Sequence, residues 1–348
     1  MKSLYPTLLI LLLAGCAPRY KGPVTDHFTG KKFINTGPPV VRQGGLFKWL
    51  LHRDKGPWLD TPDAPPDGRP PRPKPQTHVY GDSLVVTFVN HSSFLLQTDG
   101  LNILTDPVWS NRVGPTKWLG IKRRRPPGIR YEDLPPIDVV LLSHCHYDHL
   151  DLQTLKRLAK DFNPQMVTPL GVSYLPKKVG GKTTRELDWN DSLHVLPNLT
   201  ITATEARHFS NRGMDDRDKT LWAGYLIHTR FGTIYFAGDT GYGDLFQKIA
   251  QRAASSPTGP IKLAMLPIGS YRPTWFMAPV HMSPVGAVQA FTDLGRPQTV
   301  GIHFGTFQQG DDGLFEPAQD LTNELLKQKI PLQRFTVPTE GKGVVYRK

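Results

Sequence analysis

Cysteine is scarce in this 348-residue chain, which carries only Cys16 and Cys145. Each has its own explanation, so no disulfide framework is expected. Acidic residues are also in deficit, 30 against 42 Lys and Arg, which leaves a net charge of +12 and a pI near 9.6. Such a surface favours anionic partners, with nucleic acid and anionic phospholipid as the two candidates. Long apolar runs are lacking as well. The one N-terminal run, Leu8-Leu9-Ile10-Leu11-Leu12-Leu13, is too short to span a bilayer as a mature helix. No second membrane segment and no internal repeat follow it. The composition, 39% hydrophobic and 21% charged, is that of a globular protein with a packed core and excludes global disorder.

What is present begins with that apolar run. Lys2 precedes it, and Leu13-Ala14-Gly15-Cys16 resembles a bacterial lipobox, where a signal peptidase cuts before a cysteine that carries lipid. Residues 1–15 are then a lipoprotein signal peptide and Cys16 the lipidation site. Ala17, where Asp would favour inner-membrane retention, points by analogy to the outer membrane. The expected location is the bacterial cell envelope, with acyl chains as the anchor. Residues 16–77 read as an N-terminal arm with scattered aromatics (Phe28, Phe33, Phe47, Trp49, Trp58), ending in a proline-rich stretch over 61–75. Proline fixes φ and removes backbone donors, so neither a helix nor a central strand fits there.

From residue 78 to 348 the pattern is that of one α/β domain. Short β-rich runs at 84–89, 93–96 and 101–104 form a meander, and 138–142 is a short buried strand. Residues 151–160 predict a helix, with Leu152, Leu155 and Leu158 on one face. Further strands are expected at 200–205, 222–228, 233–237, 262–267 and 299–303, with helices at 243–252, 284–294 and 317–329. Two sheets packed face to face with helices outside would bury these runs.

The chemistry concentrates after the strand ending at Leu142, in Ser143-His144-Cys145-His146-Tyr147-Asp148-His149-Leu150. His144 and His146, two residues apart, can point to one side of an extended loop. Asp148 and His149 come after the chain turns and can face a second point nearby. Imidazole and carboxylate are donors for zinc or a similar divalent ion. Packing so many into one loop without an ion would require a private partner for each buried polar ring. His208, Asp239 and His303 each stand at the C-terminal end of a predicted strand, and glycines flank Asp239. They are the candidates to complete the ligation. Cys145 reads as a buried spacer, and His91 as a supporting group at most.

This motif resembles the His-x-His-x-Asp-His signature of the metallo-β-lactamase superfamily. The resemblance implies an αββα sandwich, two mixed β-sheets flanked by helices, with a two-metal centre at one edge. Carried over by position, His144, His146 and His208 imply one shell, Asp148, His149 and His303 the other, and Asp239 the bridging carboxylate. Two divalent ions, zinc first among them, are the implied cofactors. Residues 104–110, 134–138, 143–151, 236–242, 266–271 and 302–307, with Trp275-Phe276-Met277 and His281, are similar to the N-acylphosphatidylethanolamine-hydrolysing phospholipases D. That likeness implies a phosphodiesterase releasing phosphatidic acid and an N-acylethanolamine. Asp148 would orient the nucleophile beside its ligand role. His281, outside the seven ligands, would stabilise phosphoryl charge or protonate the leaving group, with a structural ring as its alternative.

A phospholipid and a membrane surface are the expected partners, reached through the lipid anchor and a basic patch. Lys122, Arg123, Arg124 and Arg125, beside Trp118 and Leu119, would meet headgroups. Trp275, Phe276 and Met277 would line an acyl-chain groove. No nucleic-acid partner is expected, and an oligomer is left open. The alternatives are a hydrolase of the same fold acting on another ester, lactone or phosphodiester, and a non-catalytic envelope lipoprotein.

Overall fold

The computed structural model describes residues 20–38, 44–58 and 74–348. The apolar N-terminal run, Cys16 and most of the proline-rich stretch lie outside the described residues. The arm contributes one short helix, α1 (Leu46–Leu51). The first sheet starts as an antiparallel meander of β1 (Ser83–Asn90), β2 (Ser93–Thr98) and β3 (Leu101–Thr105). A small hairpin of β4 (Arg112–Val113) and β5 (Ile121–Lys122) follows. Then β6 (Val139–Leu141), β7 (Gln165–Pro169) and β8 (Thr184–Leu187) add in parallel. Helices α2 (Leu152–Asp161) and α3 (Tyr174–Lys178) lie between them.

The second sheet repeats this plan. An antiparallel run of β9 (Ser192–Leu196), β10 (Leu199–Thr204), β11 (Gly224–Thr229) and β12 (Gly232–Phe236) comes first. The parallel strands β13 (Ile261–Pro267), β14 (Gln298–Ile302) and β15 (Phe335–Thr336) complete it. The connecting helices are α4 (Leu245–Ala254), α5 (Thr274–Met277), α6 (Pro284–Asp293) and α7 (Glu316–Lys327). The last strand, β16 (Gly343–Arg347), returns to pair with β1. Both sheets have seven strands, both are mixed, and helices flank them: this is the αββα sandwich. Among the described residues no helix is long and apolar enough to cross a membrane.

Strand alternation explains the layering. Val139 and Leu141 point between the sheets with Phe88, Phe94, Ile227 and Phe236, while Val140 and Leu142 point outward onto Leu155 and Leu158 of α2. Asp151 caps α2, accepting from the Gln153 amide at 3.1 Å and the Thr154 hydroxyl at 2.6 Å. It also accepts from the Ser110 amide at 3.0 Å, so the start of α2 is tied to the segment that follows β3. The parallel strands of both sheets end at one edge, and their C-terminal loops meet there.

The arm is part of this core. Phe28 and Phe33 are 2% and 1% exposed and belong to the same apolar cluster as the two sheets. Phe33→Ala should therefore cost about 3–5 kcal/mol, the usual penalty for a buried Phe truncation. Urea unfolding measures it, and a loss below about 1 kcal/mol would mean the arm is not packed this way.

Candidate metal centre

The loops at this edge bring seven side chains together. His144 Nε2 lies 2.7 Å from His146 Nδ1, and His208 Nε2 lies 3.2 Å from the same atom. Beside this trio, Asp148 Oδ2 lies 3.0 Å from His149 Nε2 and 3.5 Å from His303 Nε2. Asp239 stands between the two groups. Its Oδ2 is 3.7 Å from His208 Nε2 and 4.0 Å from His144 Nε2 on one side. On the other it is 3.0 Å from His303 Nε2 and 3.2 Å from His149 Nε2. The residues meet at strand ends: the loop after β6 supplies four, and those after β10, β12 and β14 supply His208, Asp239 and His303.

Four of the five imidazoles that turn a bare nitrogen inward, all but His303, have the other nitrogen held from behind. His149 Nδ1 donates to Asp106 Oδ2 at 2.7 Å, and His208 Nδ1 to the Val280 carbonyl at 3.0 Å. His146 Nε2 donates to Asn211 Oδ1 at 3.0 Å. His144 Nδ1 donates at 2.9 Å to Ser143 Oγ, which itself donates to Asp106 Oδ2 at 2.6 Å. Fixing the tautomer in this way is how metal-binding histidines are oriented. Asp106 thus holds two rings at once, and it also accepts from the Ser143 amide at 2.7 Å.

The donor set fits metal binding. Asp239 Oδ1, His149 Nε2 and both nitrogens of His303 are buried and make no hydrogen bond. A buried polar atom left so costs about 1–3 kcal/mol, and metal binding would satisfy His149 Nε2, His303 Nε2 and an Asp239 oxygen. The electrostatics point the same way. Burial alone would lower His149, but Asp239, Asp148 and Asp106 outweigh it and hold the ring well above its ordinary value. The pocket thus calls for positive charge. Burial, with neighbouring imidazoles, keeps His144 and His208 well below theirs, in the neutral form that ligates.

The backbone is strained where the site is tightest. His91, Asp106 and His303 all have left-handed φ, of 48°, 33° and 59°, each a cost of about 1–3 kcal/mol that the surroundings must offset. His303 and His91 are locked together, the His303 amide donating to the His91 carbonyl at 2.9 Å and the His91 amide to Thr306 Oγ1 at 2.9 Å. Gly238 has φ +58°, and a Cβ there would meet the Ser143 Cβ at 2.7 Å, so glycine is required beside Asp239.

His281 sits at the open side of the cluster. Its Nδ1 is 3.9 Å from Asp239 Oδ2, and its side chain is 12% exposed. Burial lowers its pKa to about 3 despite the nearby Asp239 carboxylate, so the ring is neutral near neutral pH. His146, Tyr147 and Asn211 are half-buried on the same open side.

Two groups behave otherwise than the sequence suggests. The run from Lys122 to Arg125 is not a continuous surface patch. Arg123 is 7% exposed, with its guanidinium donating to the Val108 and Ser110 carbonyls and lying over the Phe307 ring. Arg125 pairs with Glu340 at 2.8 Å, and only Lys122 is fully exposed. Trp275, Phe276 and Met277 lie in α5 and pack with Trp49 of α1 in a small apolar cluster; Phe276 and Met277 are buried, and only half-buried Trp275 borders a surface cavity, beside His52 and Asp54. The hydrophobic effect uses the trio to dock the arm.

Sequence reasoning missed Asp106, although it too is a carboxylate at a strand end, just after β3. His91, a supporting group at most by the sequence, donates from Nε2 to Asp148 Oδ2 at 2.9 Å. No sequence signal marks Asn35. That arm residue accepts from the His208 amide at 3.0 Å and donates to the His208 carbonyl at 2.8 Å, bracing a candidate ligand through its backbone. Cys145 is buried, its Sγ accepting from the Thr220 hydroxyl at 3.4 Å.

A sequence profile described as the β-lactamase superfamily domain matches residues 101–304. The chain belongs to that superfamily. It is 35% identical over 274 residues to N-acyl-phosphatidylethanolamine-hydrolyzing phospholipase D 1 of Caenorhabditis elegans, covering 76% of this chain and 75% of that protein. It is likewise 35% identical over 240 residues to the mitochondrial N-acyl-phosphatidylethanolamine-hydrolyzing phospholipase D of Saccharomyces cerevisiae, covering 68% of this chain and 50% of that one. Among solved structures, isothiocyanate hydrolase from Delia radicum gut bacteria superposes with a TM-score of 0.59 at 21% identity, over 76% of this chain and 100% of that one. This superposition shows the shared fold. The protein is a metal-dependent hydrolase of the metallo-β-lactamase fold.

Replacing Asp106 by Asn removes the acceptor that orients His149 and Ser143 together. Asp106→Asn should weaken retention of the metal by about 10–100-fold in chelator competition, with the far-ultraviolet circular dichroism unchanged. Wild-type retention in that variant would show that Asp106 does not support the centre.

Proposed function

We propose that the protein is a two-metal phosphodiesterase of phospholipase D type. It would hydrolyse N-acylphosphatidylethanolamine-like lipids to phosphatidic acid and N-acylethanolamine. The observation that carries this reading is the single oxygen Asp239 Oδ2, set within 4.0 Å of histidines from both groups, together with 35% identity to two N-acyl-phosphatidylethanolamine-hydrolyzing phospholipases D. His144, His146 and His208 would hold one ion, Asp148, His149 and His303 the other, and Asp239 both. Two divalent ions, zinc by donor type, would supply Lewis acidity and a water that ionises near neutral pH.

The chain's own groups do the rest. Asp148, held by His91, is placed to orient the attacking water as well as to ligate. His281, neutral and at the open side, can donate a hydrogen bond to a phosphoryl oxygen as negative charge grows on it. The strained, tightly packed walls around His303 and Asp239 keep these groups from shifting as charge develops. A smaller ester or phosphodiester is the second reading, favoured by the closure of the Trp275–Met277 cluster. Export with lipidation at Cys16, and an envelope location with a phospholipid partner, belong to the same proposal.

His281→Ala should keep its full metal content by inductively coupled plasma mass spectrometry while kcat falls by about 10²-fold or more. Loss of metal in this variant would instead make His281 a ligand or a support. For the substrate, the purified protein is incubated with mixed envelope lipids enriched in N-acylphosphatidylethanolamine and the products are read by mass spectrometry. Phosphatidic acid and N-acylethanolamine should appear, and chelation should abolish them. Unchanged lipids beside cleavage of a soluble ester would overturn the lipid reading.

A further inference from the structure

Helix α1 carries an apolar face that nothing among the described residues covers. Leu46, Phe47, Leu50 and Leu51 are 52%, 81%, 51% and 80% exposed. At about 100° per residue, they share one arc of roughly 140°. Trp49 points the other way, stacking on Phe276 at 4.9 Å and donating from Nε1 to Asp311 Oδ2 at 2.8 Å. The helix is therefore fixed from behind by one aromatic and one hydrogen bond while four large apolar side chains face water. A soluble surface scatters such residues singly, and a cluster of this kind marks a contact surface.

The charges beside the face choose its partner. Lys48 lies at the edge of the apolar arc, its Nζ 5.0 Å from the Trp275 ring, and Lys55 is exposed just beyond the helix. Arg53 is neutralised by Asp311, and Asp54 is the one carboxylate of the segment. A second protrusion has the same character. At the β4–β5 hairpin, Trp118 and Leu119 are 75% and 61% exposed, and Lys117 and Lys122 are exposed beside them. Both protrusions are tied to one loop, the one that follows His303. Arg123 lies over Phe307, while Trp49 and Arg53 bind Asp311. Apolar side chains edged by lysine, without a matching set of acids, suit a lipid interface with anionic headgroups.

We infer that α1 docks on a bilayer containing anionic phospholipid, with Leu46, Phe47, Leu50 and Leu51 entering the acyl boundary and Lys48 and Lys55 meeting headgroups. The tip at Trp118 and Leu119 is the second point of contact. This assignment rests on the lipid reading of the metal centre. It moves the interfacial role from the run Lys122–Arg125, most of which is folded inward, to a helix outside the superfamily match.

The test uses the full chain carrying Cys16→Ser and Leu51→Cys, labelled at position 51 with an environment-sensitive nitrobenzoxadiazole dye. A label at Met214→Cys, a position 83% exposed, is the control. The vesicles are phosphatidylethanolamine with phosphatidylglycerol and contain no N-acylated lipid, so turnover plays no part. The label at 51 should gain fluorescence severalfold, shift to the blue and be quenched by acyl-brominated lipid, while the label at 214 should not. Substituting Lys48 and Lys55 by Glu should reverse much of the gain. A label at 51 that stays in water overturns the inference, as does equal insertion into pure phosphatidylcholine. A blue shift that grows with protein concentration in the absence of vesicles also overturns it, since a second copy would then cover the face. Insertion without any release of phosphatidic acid in the substrate assay would leave α1 docking intact and remove the phospholipase reading.

Discussion

Everything at the functional edge follows from placing seven imidazoles and carboxylates so close that they cannot satisfy one another. Bare ring nitrogens approach to about the hydrogen-bonding distance, and the carboxylates are desolvated. Without a cation the arrangement would be repelled or would bind protons. The fold supplies what opposes that: sheet ends that fix each backbone, and a ring of partners behind the imidazoles. Asp106 is the most connected of these partners, with three donors on one buried carboxylate. The strained φ values of His91, Asp106 and His303 show that local conformational preference has been overridden by packing around them.

Much of this is legible in the chain itself, and the gaps have physical causes. Buried strands such as β6 and β13 stand out because their runs are continuously apolar, and α2 because its leucines recur at helical spacing. The outer strands β9 and β16 have one fully buried side chain between them, so hydrophobic patterning does not mark them. The His/Asp loop is readable because its donors are adjacent in sequence. Asp106, Asn35 and Asn211 act at long range, 43, 173 and 65 positions from the histidines they hold, and a single chain shows no trace of such pairings. Cations are misjudged for a related reason. Arg123 looks like surface, yet its guanidinium satisfies two carbonyls just ahead of the hairpin and covers an aromatic ring. An arginine can be structural wherever backbone oxygens need a donor.

The arm illustrates how far a segment without periodicity can matter. Phe28 and Phe33 enter the main core, and Trp49 covers Phe276. Trp58 Nε1 donates to the Asp312 carbonyl at 2.8 Å. These contacts come from isolated aromatics in an irregular context, so they show in composition and not in pattern.

One pair of attachments has a wider consequence. Asn35 clasps the backbone of His208, while Trp49, Arg53 and Trp58 clasp the loop that begins at His303. His208 and His303 belong to opposite groups of the centre, so the same arm grips both halves. By reciprocity, whatever the arm's docking contributes to holding the two groups in place, binding at the centre returns to the arm by the same factor. The segment ahead of the sandwich is thus a brace for the cluster, reaching a histidine loop on each side of Asp239.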